Sequence, residues 1–139
     1  MTTTILLADD HALMRQGLRA MLSEQPGFRV VGEADNGRAA VRMARELRPD
    51  VVLMDVTMPG LNGIEATRSI RRDNPVTRVV AVSMHPERQF VAQMLAAGAS
   101  AYVLKGCPLD ELLAAIEAAG RGEIFLSPQL NVATPSRMA

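Results

Sequence analysis

Residues 51–55 have the sequence VVLMD, in which four apolar residues precede an aspartate. Four consecutive apolar residues leave no polar face, so the run is typical of a short strand that is covered on both sides. Such strands occur in parallel sheets whose two faces are packed by helices. The run ends at a carboxylate, Asp55, and a turn-forming segment, VTMPG, follows it. We therefore interpret 51–55 as a central parallel strand with Asp55 at its carboxyl end.

Similar apolar runs flank this strand along the chain, and amphipathic segments separate them. The predicted strands are Thr4–Ala8, Phe28–Ala34, Val51–Asp55, Arg78–Val82 and Ala101–Leu104. The predicted helices are His11–Ser23, Asn36–Leu47, Asn62–Arg72, Pro86–Ala97 and Pro108–Ala119. In the first helix we expect one apolar stripe, made of Leu13, Leu18, Met21 and Leu22. Five successive β–α units predict an α/β fold with a parallel sheet and helices on both faces.

Composition and charge restrict the class of protein. The chain has 139 residues, 48% of them hydrophobic and 22% charged, as expected for one globular domain. The formal net charge is zero, which gives no electrostatic footprint for nucleic acid. A single cysteine, no N-terminal signal sequence and no apolar run of membrane-spanning length lead us to expect a cytoplasmic protein. Of the 15 basic residues only one is a lysine, Lys105.

Polar residues collect where the predicted strands end. They are Asp9 and Asp10 after the first strand, Asp55 at the end of the third, Ser83 after the fourth and Lys105 after the fifth. Ligands of open α/β sheets bind outside the carboxyl ends of the strands. Three carboxylates at such an edge suit Mg²⁺, which combines a few carboxylate ligands with water and phosphate oxygens. We therefore predict a phosphoryl-transfer site with Asp55 as the nucleophile.

A structural alternative exists for Asp9 and Asp10, because both precede the first helix. They would then act as a helix N-cap and a first-turn carboxylate, without any ligand. Asp55 and Lys105 at neighbouring strand ends favour the site over this alternative. We expect His11 to be an exposed residue of the first helical turn, beside the site and not a ligand.

Four motifs follow one another on the strand ends: LADDH, DVTMPGLNGIEA, VVAVSMH and ASAYVLK. Together they resemble the receiver domain of two-component response regulators, over about Thr3 to Gly122. The glycine after Lys105 and the segment GEIFLSP after the last helix resemble the NarL/FixJ (LuxR-type) subfamily. The resemblance implies a CheY-like, flavodoxin-like doubly wound sheet of five parallel strands in the order 2-1-3-4-5.

The resemblance also implies how the carboxylates divide their roles. Asp55 matches the residue that accepts the phosphoryl group. Asp10 matches the direct Mg²⁺ ligand, and Asp9 matches a ligand that acts mainly through water. The backbone carbonyl of Thr57 matches a further Mg²⁺ ligand.

A second set of matching residues belongs to the switch that follows phosphorylation. Lys105 matches the lysine that contacts the phosphoryl group, and Ser83 matches the hydroxyl that swings toward it. Tyr102 matches the aromatic residue whose rotamer follows that swing. Thr57 and His85 match positions that tune the lifetime of the phosphoryl group. Many receivers have proline after the lysine, but Gly106 stands here, so we expect no slow proline isomerisation.

The expected organisation is a receiver over residues 1–122 and, over 123–139, a C-terminal extension that begins a linker. In the subfamily a helix-turn-helix DNA-binding domain follows such a linker, and this sequence does not contain it. We therefore expect contact with DNA only through an output domain. The other implied partners are a sensor histidine kinase and, after phosphorylation, a second copy of the chain; we expect no membrane contact.

Two other classes of function remain open at this point. An aspartate-nucleophile phosphatase would need a second carboxylate two residues after Asp55, where Thr57 stands. A phosphorylation-independent interaction module on the same fold would not need the acidic residues and Lys105, all of which are present. The leading prediction is a signalling switch that modifies only itself and is not an enzyme with an external substrate.

Overall fold

The computed structural model of the protein describes residues 2–130, which form five helices and one six-stranded sheet. The strands are β1 (Thr3–Ala8), β2 (Phe28–Ala34), β3 (Val51–Met54), β4 (Arg78–Ser83), β5 (Ala101–Leu104) and β6 (Phe125–Leu126). The helices are α1 (Ala12–Ser23), α2 (Gly37–Leu47), α3 (Gly63–Asp73), α4 (Arg88–Ala97) and α5 (Leu109–Gly120). All neighbouring strands pair in parallel, in the order β2-β1-β3-β4-β5-β6. The predicted α/β fold is confirmed.

Strand β3 is covered on both faces, as its unbroken apolar run predicts. Val52 and Met54 belong to one buried cluster, and Val51 and Leu53 belong to a second cluster across the sheet. All four residues are almost completely buried. Helices therefore pack on both faces of the sheet. The carboxyl end of β3 lies between neighbouring strands, near the middle of the sheet edge.

Helices α2 and α3 begin at asparagine caps, which explains why they start where the sequence predicts. The side chain of Asn36 accepts a hydrogen bond from Ala39 N, and that of Asn62 accepts one from Glu65 N, both at 2.9 Å. These bonds satisfy backbone N–H groups that have no partner inside the first turn. The start of α3 then lies directly against the backbone that follows Asp55.

The predicted apolar stripe of α1 is wrong at two of its four positions. Leu13 is 82% exposed and Met21 is 41% exposed, whereas Leu18 and Leu22 are buried. The buried row runs through Leu18 and Leu22, with Met14 packed against the same cluster. Residues spaced by four lie nearly above one another on a helix, and a neighbouring residue is turned about 100° away. Leu13 therefore lies outside the row formed by Met14, Leu18 and Leu22.

The sheet has six strands instead of the expected five. The additional strand β6 lies in the predicted C-terminal extension and pairs Phe125 with Ala101 and Leu126 with Tyr102. Leu130 is buried in the same core cluster as Tyr102. The part of the predicted extension from 131 to 139 lies outside the described residues, and a domain boundary at residue 122 stays a prediction. Between residues 2 and 130 no helix has the length and apolar character needed to cross a membrane.

Gly63→Ala is expected to lower the free energy of unfolding by about 2 kcal/mol, as overpacking of a tight contact does. A Cβ at this position would lie 1.9 Å from the carbonyl oxygen of Asp55 and 2.9 Å from the Cα of Val56. To relieve this steric clash, the backbone that carries Asp55 would have to move. Urea unfolding at neutral pH measures the change.

Gly17→Ala is the matched control, because Gly17 lies inside α1 with nothing near the space a Cβ would take. Alanine is the better helix former by up to about 1 kcal/mol, so this variant should be as stable as the original chain or more so. A Gly63→Ala variant of unchanged stability would contradict the close approach of α3 to Asp55.

Candidate functional site

Asp9 and Asp55 are buried carboxylates at the ends of two neighbouring strands. Each is only 3% exposed. The register pairs Ala8 of β1 with Met54 of β3, so the next residue of each strand leaves the sheet beside the other. Asp55 N donates to Ala8 O at 2.9 Å, and Asp9 N donates to Ala34 O at 3.0 Å. The ends of three strands therefore hold both carboxylates in place.

Lys105 lies between these carboxylates and binds both of them. Its Nζ is 2.9 Å from Asp9 Oδ2 and 3.0 Å from Asp55 Oδ2, and its side chain is only 8% exposed. Lys105 N donates to Ser83 O at 2.8 Å, which continues the pairing of β5 with β4 beyond the strand. Buried charges persist in proteins when they are paired and hydrogen-bonded, and this ammonium group meets that condition.

The pKa values of Asp55 and Lys105 reflect burial and pairing together. Burial raises the pKa of Asp55, and the Lys105 ammonium and the backbone of Thr57 offset this only in part. Burial by itself lowers the pKa of Lys105, but the hydrogen bonds and charges of Asp9 and Asp55 outweigh it, so the pKa lies above its ordinary value. Lys105 is therefore a permanent cation of the site at neutral pH.

Asp10 and His11 complete a cluster of possible metal ligands at the mouth of the site. Asp10 is more exposed than Asp9, and His11 Nδ1 lies 3.1 Å from Asp9 Oδ1 and 3.3 Å from Asp10 Oδ1. One ligand atom from each of Asp9, Asp10, His11 and Asp55 lies within 4.8 Å of the others. Three carboxylates at this spacing fit a hard cation with oxygen ligands.

The alternative interpretation of Asp9 and Asp10 as helix-capping residues is wrong. The N-cap residue of α1 is His11, and the first turn of the helix contains no acidic residue. Asp9 Oδ1 accepts a hydrogen bond from His11 N at 2.8 Å, so this carboxylate shapes the loop between β1 and α1. His11 is exposed, as predicted, but it precedes the first turn, and no local sequence pattern predicts its contacts with both carboxylates.

Ser83, His85 and Tyr102 form one hydrogen-bonded group beside the carboxylates. His85 N donates to Ser83 Oγ at 3.0 Å, and the Tyr102 hydroxyl donates to His85 O at 2.6 Å. Tyr102 and Ser83 are both completely buried, and the His85 ring packs on Phe90 with ring centroids 4.5 Å apart. The backbone of His85 therefore connects the predicted switch residues. Thr57 is exposed in the loop after Asp55, and a role for its carbonyl stays a prediction.

Arg15 also belongs to the site, although its position in the predicted first helix does not by itself indicate this. Its Nη1 donates to Asp9 O at 2.6 Å, and its Nε is 3.2 Å from Glu33 Oε1. Arg19 also contacts Glu33, at 3.0 Å. The signal in the sequence was Glu33 near the end of β2, which pairs with β1. An acidic residue there places a partner for arginines on the first helix beside the Asp9 loop.

Comparison with known proteins agrees with this geometry. Residues 5–117 match the family described as the response regulator receiver domain. The chain belongs to this family. The match covers both carboxylate-bearing strand ends and Lys105, so the receiver domain and the site described above coincide.

Individual relatives place this receiver domain among response regulators of the NarL/LuxR type. The response regulator GacA of Pseudomonas viridiflava is 47% identical over 126 residues, which are 91% of this chain and 59% of that protein. This chain therefore spans less than two-thirds of that relative's length.

Two solved structures have the same fold at considerable sequence identity. A LuxR-family two-component response regulator from Aurantimonas sp. SI85-9A1 is 42% identical with a TM-score of 0.88, over 94% of this chain and 93% of that one. The signal receiver domain of the putative response regulator NarL from Mycobacterium tuberculosis is 35% identical with a TM-score of 0.83, over 88% and 98%. The predicted subfamily is confirmed.

Asp55→Asn is expected to raise the free energy of unfolding at pH 7. Because burial raises the pKa of Asp55 in the folded state, ionisation of this carboxyl group favours the unfolded chain. The contribution of Asp55 to stability is therefore complete at low pH and is lost as the pH rises through the folded pKa. Asparagine removes that loss, so its advantage should shrink as the pH falls toward the ordinary value of 3.8.

Urea unfolding of Asp55→Asn and of the original chain, at pH 7 and again near pH 4, measures this difference. Asp35→Asn is the control, since Asp35 is an exposed carboxylate and its replacement should give no such pH-dependent gain. A variant less stable than the original chain at pH 7 would show that pairing with Lys105 outweighs the burial of Asp55.

Proposed function

We propose that Asp55 accepts a phosphoryl group from a sensor histidine kinase, with Mg²⁺ bound, and that the modified domain controls an output. The observation that supports this most directly is the Lys105 ammonium shared by Asp9 and Asp55. It places a fixed cation against the proposed nucleophile. Positioning and neutralisation of charge are the main requirements of phosphoryl transfer.

The chemical step needs a nucleophile and a place for negative charge. An oxygen of Asp55 forms a bond to phosphorus while the bond from phosphorus to the donor group breaks, and the donor leaves with that electron pair. Lys105 then has an acceptor in the phosphoryl oxygens as well as in Asp9. The domain modifies only its own side chain, so it works as a switch and not as an enzyme that turns over external substrates.

The donor set supports Mg²⁺ as the metal of this site. Asp9, Asp10 and Asp55 would hold the ion, and the carbonyl of Thr57 is the further ligand that the family resemblance implies. Carboxylate and carbonyl oxygens are the ligands of hard cations, and Mg²⁺ takes phosphate oxygens as well. When bound, the ion would supply positive charge to the transferring phosphoryl group.

The hydrogen bonds around His85 suggest how phosphorylation reaches the surface. A phosphoryl group adds about 1.5 to 2 negative charges and three strong acceptor oxygens. If Ser83 turns its hydroxyl toward them, His85 N loses its acceptor, and the bond from Tyr102 to His85 O is disturbed. The rearrangement at His85 would then alter the segment between β4 and α4. It would shift the equilibrium between two conformations of the surface there.

The partners of this domain follow from the same proposal. A histidine kinase would be the donor, and a second copy of the chain would bind after phosphorylation. This chain spans 59% of GacA, which supports an output domain in a longer protein. The family resemblance implies that this output domain binds DNA. The lone cysteine, Cys107, supports a cytoplasmic location, where thiols stay reduced.

Asp55→Asn is expected to abolish labelling of the domain by acetyl phosphate, because the amide cannot act as the nucleophile. Chelation of Mg²⁺ by EDTA should abolish labelling of the original chain, since the site then lacks its divalent charge. Radiolabel incorporation after gel separation measures both effects. Asp35→Asn, at an exposed carboxylate, should label at the original rate. Undiminished labelling of Asp55→Asn would disprove the assignment of the phosphoacceptor.

Beryllofluoride with Mg²⁺ is expected to convert the domain from monomer to dimer, because it imitates a phosphoryl group on the aspartate. Size-exclusion chromatography with light scattering measures the molar mass. Asp55→Asn is the control and should stay monomeric under the same conditions. A domain that is labelled at Asp55 but keeps its molar mass with beryllofluoride would exclude dimerisation as the response of this part of the chain.

A further inference from the structure

The chain that follows α5 returns to the outer edge of β5. Phe125 N donates to Ser100 O, and Ser127 N donates to Tyr102 O, both at 3.0 Å. These backbone bonds define β6, which is only two residues long. The regular pairing of β6 with β5 therefore ends before the chain reaches Lys105.

The side chain of Ser127 continues the pairing where the backbone stops. Its Oγ accepts a hydrogen bond at 3.3 Å from the N–H of Leu104, the residue that immediately precedes Lys105. The same hydroxyl donates to Glu111 Oε2 in the first turn of α5. Ser127 is 2% exposed, so the protein shields its hydroxyl from water. One hydroxyl group thus uses both its donor and its acceptor capacity.

These two bonds enclose the segment that presents Lys105. Leu104 lies immediately before the lysine, and Glu111 lies in the helix that follows it. Between them Gly106 turns the chain with a φ of 85°, a left-handed conformation that glycine adopts without strain. On the opposite side, Lys105 N is bonded to Ser83 O at 2.8 Å. The backbone at Lys105 is therefore fixed by β4 on one side and by Ser127 on the other.

We propose that Ser127 is a positioning residue for phosphorylation: its bridge from Leu104 to Glu111 holds Lys105 against Asp9 and Asp55. This inference rests on the proposed function, because it concerns the transfer of a phosphoryl group to Asp55. The hydrogen bonds of the Ser127 hydroxyl go to Leu104 and Glu111 and not to Asp9 or Asp55, so Ser127 acts through the backbone at Lys105. Electrostatic stabilisation of a reacting group requires a charge that is already in place. Phosphoryl transfer to Asp55 is therefore slower when Lys105 is held less firmly.

Ser127→Ala should slow the labelling of Asp55 by acetyl phosphate by about tenfold or more, since a misplacement on the order of 1 Å can cost about 100-fold in rate. Ser127→Thr keeps the hydroxyl and should label close to the original rate. Rates are normalised to the folded fraction, which unfolding curves at the assay temperature provide. An alanine variant as fast as the original chain, or a threonine variant as slow as alanine, overturns the inference.

Thr77→Ala is the matched control, because Thr77 also has a buried hydroxyl that uses both capacities. Its Oγ1 donates to Pro49 O at 2.8 Å and accepts from Asn74 Nδ2 at 2.9 Å, beside the start of β4 and away from the carboxylates. This variant should lose stability but keep the original labelling rate. Equal slowing of the Thr77 and Ser127 variants would show a general effect of destabilisation and overturn the inference.

Glu111→Ala removes the other end of the bridge and leaves the buried serine in place, so it tests the same claim if Ser127→Ala does not fold. It should slow labelling to a similar extent, and the double variant should be no slower than either single variant, because one bridge is lost in every case. Slowing factors that multiply would overturn the inference. Failure of the original chain to label would overturn the proposed function itself, whereas these variants address only the bridge.

Discussion

The carboxylates of Asp9 and Asp55 lie inside the protein and share the ammonium group of Lys105. Removal of a charge from water costs several kcal/mol, and Lys105 compensates Asp9 and Asp55 with a single positive charge. Two negative charges against one leave an excess even before Asp10 is included, and this excess favours a divalent cation. Lys105 follows β5, and β4 separates that strand from β3. The lysine side chain must therefore reach across two inter-strand spacings of about 4.8 Å to meet Asp55. The long, flexible stem of lysine allows this.

Much of this arrangement follows from local patterns in the sequence. The uninterrupted run of β3 indicated burial on both faces, and polar residues directly after apolar strands indicated one shared edge of a sheet. Asn36 and Asn62 marked helix starts because their side chains can bind free N–H groups. The family resemblance then related Asp55, Asp10 and Lys105 to one another across 96 residues of chain. Patterns of this kind are local, and the parallel topology converts them into a site.

The features that the sequence did not predict depend on contacts between distant segments. Its leucine side chain and its spacing predict Leu13 on the apolar stripe of α1, but the orientation of α1 is set by the row through Leu18 and Leu22. A two-residue strand such as β6 has no periodicity, and it exists only because β5 offers an open edge. The contacts of Arg15 with Asp9 O and Glu33 likewise require β1, β2 and α1 to be assembled first.

The use of arginine at every basic position but one has a practical consequence for this chain. A reagent selective for ε-amino groups has one target side chain in the whole sequence, and that side chain is the buried cation of the acidic cluster. Its 8% exposure and its two carboxylate partners protect it from such a reagent as long as the cluster is intact. The composition therefore makes Lys105 a built-in chemical reporter of its own surroundings, with no neighbouring lysine to confuse the signal.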